Sequence, residues 1–245
     1  VHDFLFQEIT FGKKNKAFEY YDGQALDYRP IGDQPLIKRT AMEVSAMKRE
    51  YNTLLKEAGV DCLYYTKLVE AVRDENGNVK AAVISCVEGM YLLEADYFVD
   101  ASGDAHLMAS AGATMKKFAL DRMMHTSLTT IIGGISVFHN DCAQQRYREL
   151  YDAKKFKGKV WNWFGYSWTM TPGEINTIYD FNAGDTVNSK ELTRMGIELL
   201  DEIHENFEVL KEEMPAFENA YINRTADRVG IRSGWSFEGM ATIDR

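Results

Sequence analysis

The chain has 245 residues, of which 45% are hydrophobic and 27% are charged, and its formal net charge is −9. This is the composition of a globular protein, long enough for one large domain or two small ones. The acidic balance argues against a nucleic-acid surface, which needs a basic face. No apolar run reaches the roughly 20 residues that cross a bilayer.

The chain has three cysteines, Cys62, Cys86 and Cys142, and no CxxC pair. An odd number without paired spacing predicts free thiols in a cytoplasmic protein. The N-terminal residues have no basic region before an apolar segment, so we expect no signal peptide. The histidines and cysteines lack ligand spacing, and we therefore predict no metal site.

The first predicted elements are a strand from Asp3 to Phe11 and a helix that ends at Ala58. Thr40 has the character of an N-cap, with Glu43 three residues later as its capping-box partner. Gly59 follows the helix at the position where glycine commonly ends one.

A β-meander follows this helix. Residues 60–65 and 68–72 are strand-like, being rich in β-branched and aromatic side chains. Asn76-Gly77 is a strong hairpin signal, after which residues 79–87 and 91–93 predict two further strands.

Residues 97–112 predict a short strand, a turn at Ser102-Gly103-Asp104 and a small-residue helix. A helix N-terminus after a glycine turn presents free backbone N–H groups and the positive end of a dipole, which suits a phosphate or a polyol. The alternative interpretation is a plain strand-to-helix turn in which Ser102 or Asp104 caps the helix.

The second half predicts a mixed sheet with helices. A strand at 125–135 ends at Gly133-Gly134, and Asn140 or Asp141 starts a polar helix of about 14 residues, a common length. Residues 160–170 are aromatic-rich, and residues 174–181 predict a strand. Asn188 and Glu191 form a second capping-box signal for a helix that Met214-Pro215 ends. The tail from 229 is glycine-rich and irregular.

These segments together resemble a known family in the order in which they occur. The segments are KREYNTLLKEAGVDCLYYTKLVEAV, VDASGDAHLMASAGA, DRMMHTSLTTIIGGI, GDTVNSKELTRMGIELL, EEMPAFENAYI and RVGIRSG. They are similar to the FAD-dependent oxidoreductases of the glutathione-reductase-like fold, and more narrowly to a bacterial branch with "DATGD" followed by "AAxAGA". The resemblance runs from about Leu36 to about Gly234.

The resemblance implies an α/β fold in which a partial FAD-binding domain holds an inserted α+β substrate domain. The expected boundaries are 1–113 for the partial FAD-binding domain, 114–223 for the substrate or cap domain, and 224–245 for a return toward the first. Two features depart from the family: the sequence has no GxGxxG, and the family's Glu and Arg after "GIR" are replaced, since Ser233-Gly234-Trp235-Ser236 stands there. We therefore expect the chain to be either a fragment of such a protein or a family member that lacks its main nucleotide-binding motif.

The resemblance also implies the cofactor contacts. Ala101, Ser102, Gly103 and Asp104 would face the ribityl–pyrophosphate region of FAD. The main chain of Leu68 would meet the adenine edge, although a core leucine is an equally simple interpretation. Arg232 would contact the flavin or remain a solvated arginine. The sequence identifies no catalytic acid or base.

Several aromatic and reactive residues have a structural and a functional interpretation. Trp161, Trp163, Tyr166 and Trp168 either line a substrate pocket over the flavin or belong to the core, which is the default for such residues. His106 and His125 are expected to be structural. Cys142, at the start of a polar helix, is expected to be an inert thiol.

The expected function is therefore flavin-mediated hydride or electron transfer on a small molecule, without a nucleic-acid or membrane partner. The alternatives are a non-catalytic relative that has lost FAD binding, and a split enzyme completed by another chain.

Overall fold

The computed structural model describes residues 27–29, 37–39, 44–136, 138, 140–169, 171–178 and 180–239. The predicted strand from Asp3 to Phe11 and the capping box of Thr40 and Glu43 lie outside these residues. The described part has a mixed α/β fold. Its helices are α1 (Val44–Glu57), α2 (His106–Ser110), α3 (Asn140–Asp152) and α4 (Ser189–Glu213), with 3-10 turns at Leu120–Arg122 and Pro215–Phe217. Its strands are β1 (Asp27–Arg29), β2 (Ile37–Arg39), β3 (Lys67–Arg73), β4 (Val79–Cys86), β5 (Gly89–Glu94), β6 (Met115–Lys117), β7 (Thr130–Gly133), β8 (Lys159–Val160), β9 (Tyr166–Trp168), β10 (Ile175–Thr177), β11 (Asp180–Phe181), β12 (Tyr221–Thr225) and β13 (Trp235–Phe237).

The predicted hairpin joins β3 to β4, and β5 completes an antiparallel sheet of order β3-β4-β5. Asp74 closes the turn, because its carboxylate accepts hydrogen bonds from the amides of Asn76 and Asn78, both at 2.9 Å. Gly77 has φ +85°, a conformation that glycine adopts without strain. The hairpin prediction is confirmed.

Helix α1 ends where the sequence predicts. Gly59 has φ +70°, and the amide of Val60 donates to the carbonyl of Leu55 at 2.9 Å, as in a Schellman motif. The helix has an apolar stripe but no buried residue. The Schellman motif thus ends α1 at this position although no residue of the helix is buried.

Two strand predictions in the first half are wrong. Residues 60–65 form a loop that contains Tyr65 at φ +57°, and residues 97–99 belong to no strand. Tyr97 and Val99 are 90% and 88% exposed. A strand requires a hydrogen-bonded neighbour, and no described segment pairs with either stretch.

The main core lies in the second half, where α3 and α4 pack against an antiparallel sheet of order β12-β7-β10-β9. Asn188 caps α4, and its side chain accepts hydrogen bonds from the amides of Lys190 and Glu191. Five apolar side chains of α4 are buried at spacings of three to four residues: Met195, Leu199, Ile203, Phe207 and Leu210. This amphipathic stripe joins the helix to the sheet.

Two strand predictions in this half are correct in type but not in extent, and the prediction of an irregular tail is wrong at residues 235–237. The predicted strand 125–135 narrows to β7, and the strand 174–181 divides into β10 and β11. Strand β13, in the tail predicted to be irregular, pairs with β6. Such short strands depend on partners that are distant in sequence, which local patterns do not reveal. The proposed domain boundaries remain predictions.

A leucine pair in α4 tests the importance of this core. Leu199 is fully buried, whereas Leu200 is 40% exposed. We expect Leu199→Ala to lower the free energy of unfolding by about 2–5 kcal/mol, because it removes buried methyl groups and leaves a cavity. The matched change Leu200→Ala is expected to cost less than about 1 kcal/mol. Urea denaturation measures both, and equal losses would contradict this packing.

Candidate functional site

The turn at Ser102, Gly103 and Asp104 is exposed and immediately precedes α2. Gly103 has φ +81°, and apart from Gly103 and its two chain neighbours no described residue has an atom within 4 Å of the position where a Cβ would stand. The turn therefore has open space on its glycine side. Ala105, at the N-cap position of α2, also adopts a left-handed conformation, with φ 53°.

The first amides of α2 are already hydrogen-bonded within the chain. The Ser102 hydroxyl accepts hydrogen bonds from the amides of Asp104 and His106, at 3.3 and 3.2 Å. The Asp100 carboxylate accepts from the amides of Ser102 and Met108, both at 3.0 Å. The prediction of free N–H groups at this helix terminus is thus wrong, since Asp100 and Ser102 fill the place that an anion would take.

The charge at the turn is negative. Burial tends to raise the pKa of Asp100, but the hydrogen bonds from Ser102, Met108 and Leu107 outweigh it and lower the pKa below its usual value. Among the described residues, the exposed Asp104 carboxylate has His106 as its one ion-pair neighbour, with Nε2 at 4.0 Å from the carboxylate. Two carboxylates beside an open glycine accept hydrogen bonds from hydroxyl groups, but they repel a phosphate.

Leu68 lies in β3, the strand that also contacts α2. It is half-buried and pairs with Ile84 of β4, while the amide of Ala71 in the same strand donates to the Ser110 hydroxyl of α2 at 2.9 Å. Strand β3 is at the edge of the described sheet. Alternate backbone groups of β3 therefore face away from β4, as a main-chain contact to a ligand requires.

Arg232 lies in an exposed loop whose hydrogen bonds come from other parts of the chain. The Ser233 hydroxyl accepts from the amide of Met124 at 2.7 Å, and the Ser233 carbonyl accepts from the Thr186 hydroxyl at 2.5 Å. No described carboxylate pairs with the Arg232 guanidinium. The sequence identified Ser233 only as a departure from the family and did not predict its hydrogen bonds, because its partners are more than 40 residues away.

The four aromatic residues 161, 163, 166 and 168 separate into two groups. Trp168 is buried, and the half-buried Tyr166 packs against the same core. Trp161 and Trp163 are 40% and 42% exposed. The core interpretation therefore applies to Tyr166 and Trp168, and only Trp161 and Trp163 are available to a ligand.

A cavity beside Cys142 has its one basic side chain already paired. Cys142 lines a cavity of about 440 Å³ with Phe138 and Arg146, but Arg146 is already ion-paired with Glu213 and Glu149.

Within the ranges that the structure describes, no group of three or more His, Cys, Asp or Glu side chains is placed to hold a metal ion. None of the helices in those ranges combines the length and apolarity of a membrane span.

Comparison with known proteins gives one family-level match. The family model described as FAD dependent oxidoreductase matches residues 10–245. No curated protein is detectably similar to the chain.

Two solved structures are similar at low identity. A triple mutant of the flavin-dependent brominase Bmp2 has 12% identity and a TM-score of 0.49, and the match covers 96% of this chain and 60% of that one. MibH, a tryptophan 5-halogenase, has 13% identity and a TM-score of 0.43, with 91% and 38% covered. The chain therefore spans less than two thirds of either protein.

The capping role of Asp100 is testable with a neighbouring carboxylate as control. We expect Asp100→Ala to cost about 1 kcal/mol and to speed hydrogen exchange at the Met108 amide, because α2 loses its cap. The Asp104 side chain accepts no hydrogen bond from the described amides of α2, so Asp104→Ala should leave the Met108 exchange rate unchanged.

This stabilisation should depend on pH in a stated direction. Because folding lowers the pKa of Asp100, its contribution is fully present above the unfolded value of about 3.9 and is lost as the pH falls through the folded value. The difference in unfolding free energy between the wild type and Asp100→Ala should therefore shrink below about pH 4. A difference that stays constant down to pH 2 would refute the carboxylate cap.

Proposed function

We propose that this chain, which belongs to the family of FAD-dependent oxidoreductases, is part of a flavoenzyme that oxidises or reduces a small molecule. The observation that supports this function is the family match over residues 10–245, and FAD is the cofactor of that family. Bound flavin supplies the hydride or electron transfer, while the protein binds and orients the reactants. The match favours this function over that of a non-catalytic relative.

We further propose the glutathione-reductase-like layout of the bacterial branch. In this layout residues 1–113 and 224–245 contribute to the FAD-binding domain, and residues 114–223 form the substrate domain. In the described residues the tail pairs with the second segment, since β13 lies beside β6, and the return of the tail toward the first segment is part of the proposal. The free cysteines Cys62, Cys86 and Cys142 are consistent with a cytoplasmic location.

The turn is proposed to contact the ribityl hydroxyls of FAD rather than its phosphates. Its glycine side is open, the Asp104 carboxylate is exposed, and the first amides of α2 are occupied by Asp100 and Ser102. These groups fit a polyol, whose hydroxyls donate to carboxylates. Ala101 lies in the same exposed segment and is proposed to approach the ligand through its main chain.

Arg232 and Leu68 are proposed to contact the charged and adenine parts of FAD. The Arg232 guanidinium is exposed and has no described carboxylate partner, which suits a cation that faces a diphosphate. Leu68 contributes through its main chain, because its side chain is half-buried in the sheet.

The role of Asp104 is testable by comparing FAD with riboflavin, which keeps the ribityl chain but lacks phosphate. We expect Asp104→Ala to weaken both flavins by a similar factor of about ten, because both lose the same hydroxyl contact. Flavin absorbance in a titration measures the binding. Asp96→Ala, an equal charge change at an exposed position upstream, should leave both affinities unchanged.

Other outcomes of this titration would contradict the proposal. If the turn contacted the diphosphate, removing the Asp104 charge would tighten FAD binding and leave riboflavin unaffected. A chain that takes up neither flavin would refute flavin binding by these 245 residues.

Arg232 gives the complementary result. We expect Arg232→Gln to weaken FAD binding about fivefold and to leave riboflavin binding unchanged, since only FAD carries a diphosphate. Arg228→Gln, an exposed arginine four residues away, is the matched control. Equal weakening of both flavins by Arg232→Gln would show that the arginine does not meet the phosphates.

A further inference from the structure

Trp161, Trp163, Phe181, His125 and Lys159 form one surface cluster in the second half of the chain. Strands β8 and β11 are antiparallel, with Lys159 opposite Phe181, so these two side chains share a face. Trp161 follows Lys159 by two residues. An isolated bridge between Thr126 and Asn182 places His125 beside the same strand pair. We call this group the tryptophan–lysine cluster.

The cluster contains one buried aromatic ring, Phe181, and two exposed ones, Trp161 and Trp163. Phe181 is buried, and the Trp161 ring meets it edge to face, with ring centroids 4.7 Å apart and planes at 80°. The Trp161 and Trp163 rings lie 6.3 Å apart and are tilted by 35°. Two exposed indoles over a buried ring offer flat apolar area that a planar ligand covers at little entropic cost.

The cluster also presents a cation without a carboxylate partner. Lys159 Nζ lies 2.8 Å from Nε2 of His125, and among the described residues no carboxylate is within ion-pair distance of this ammonium. The Glu202 carboxyl group packs against Gly158, the neighbour of Lys159 in sequence, and no ion pair of the described residues joins it to Lys159. The charge of Lys159 is therefore available to an anion.

His125 holds the Lys159 ammonium in place without adding a second positive charge. Burial, and secondarily the Lys159 charge, lower the pKa of His125, so the imidazole is neutral and its Nε2 accepts from the ammonium. The His125 and Phe181 ring centroids are 6.5 Å apart, so the pair of His125 and Lys159 lies beside the aromatic rings of the cluster. The Lys159 ammonium is thus held beside the aromatic surface.

We propose that the tryptophan–lysine cluster binds small molecules that combine an aromatic ring with a carboxylate. The ring would stack on Trp161 and Trp163, and the carboxylate would pair with Lys159. A ring alone would leave the lysine unpaired, and an anion alone would leave the indoles exposed. This inference does not depend on flavin binding, because none of its residues belongs to the proposed FAD contacts.

The test uses three small probes on the full 245-residue chain without added flavin. Phenylacetate has both features, phenylacetamide lacks the charge, and cyclohexylacetate lacks the aromatic ring. The chain has four tryptophans, so four indole N–H signals are expected in a ¹⁵N-resolved spectrum. Trp161→Phe and Trp163→Phe assign two of them, and the 44% exposed Trp235 serves as an internal control.

We expect phenylacetate to shift the indole signals of Trp161 and Trp163 and to leave that of Trp235 in place. Lys159→Met should weaken phenylacetate binding about fivefold, the upper range for an exposed ion pair, without changing the affinity for phenylacetamide. Trp161→Ala should weaken phenylacetate about tenfold, whereas Trp161→Phe keeps a ring and retains most of the binding. Lys80→Met, the same charge change in β4, should have no effect.

Three results would overturn the inference. The first is the absence of any shift at Trp161 and Trp163 at high phenylacetate concentration. The second is equal affinity for all three probes, which indicates unspecific contact. The third is a shift at Trp235 as large as those of the cluster. Because flavin is absent from these titrations, their failure leaves the proposed flavin function intact, and failure of flavin binding leaves this inference intact.

Discussion

The burial of one face of α4 against the four-stranded sheet is the constraint on which the second half of the chain depends. Met195, Leu199 and Leu210 are fully buried, and the aromatic core of the sheet packs around the C-terminal turns of this helix. Burial of apolar area is the main favourable term in folding, so a 25-residue helix with a continuous buried stripe sets the positions of its neighbours. The exposed surfaces of this half, including the tryptophan–lysine cluster, are built on that packing.

In the first half, local hydrogen bonds rather than core burial determine the described turns. Helix α1 and strand β5 contain no buried residue in the described structure, and local hydrogen bonds determine the shape of the turns. Asp74 closes the hairpin, Gly59 ends α1, and Asp100 with Ser102 holds α2. These motifs need no core, and local hydrogen bonds therefore shape the Ser102-Gly103-Asp104 turn although it is exposed.

The hydrogen bonding of that turn changes what it is able to bind. A strand–glycine–helix sequence suggests an anion site, because helix N-termini attract phosphates. Here the chain supplies its own anion, Asp100, and its own hydroxyl, Ser102. The site that remains is an exposed carboxylate beside an open glycine, which is suited to hydroxyl groups. The proposed contact with the ribityl chain of FAD follows from this local competition.

Some features of this protein follow from its sequence alone, and others depend on its tertiary structure. The sequence determined the elements with strong local causes: the Asn76-Gly77 hairpin, the ends of α1 and α4, and helix α3. Its ordered motifs also indicated the FAD-dependent family, which the family match supports. It did not determine the short strands β6, β12 and β13, because their stability comes from distant partners. Only the fold separated the buried Trp168 from the exposed Trp161 and Trp163, and only the fold placed Lys159 beside His125. Local patterns record the conformational preferences of neighbouring residues, whereas burial and the meeting of side chains from different strands depend on where the whole chain comes together.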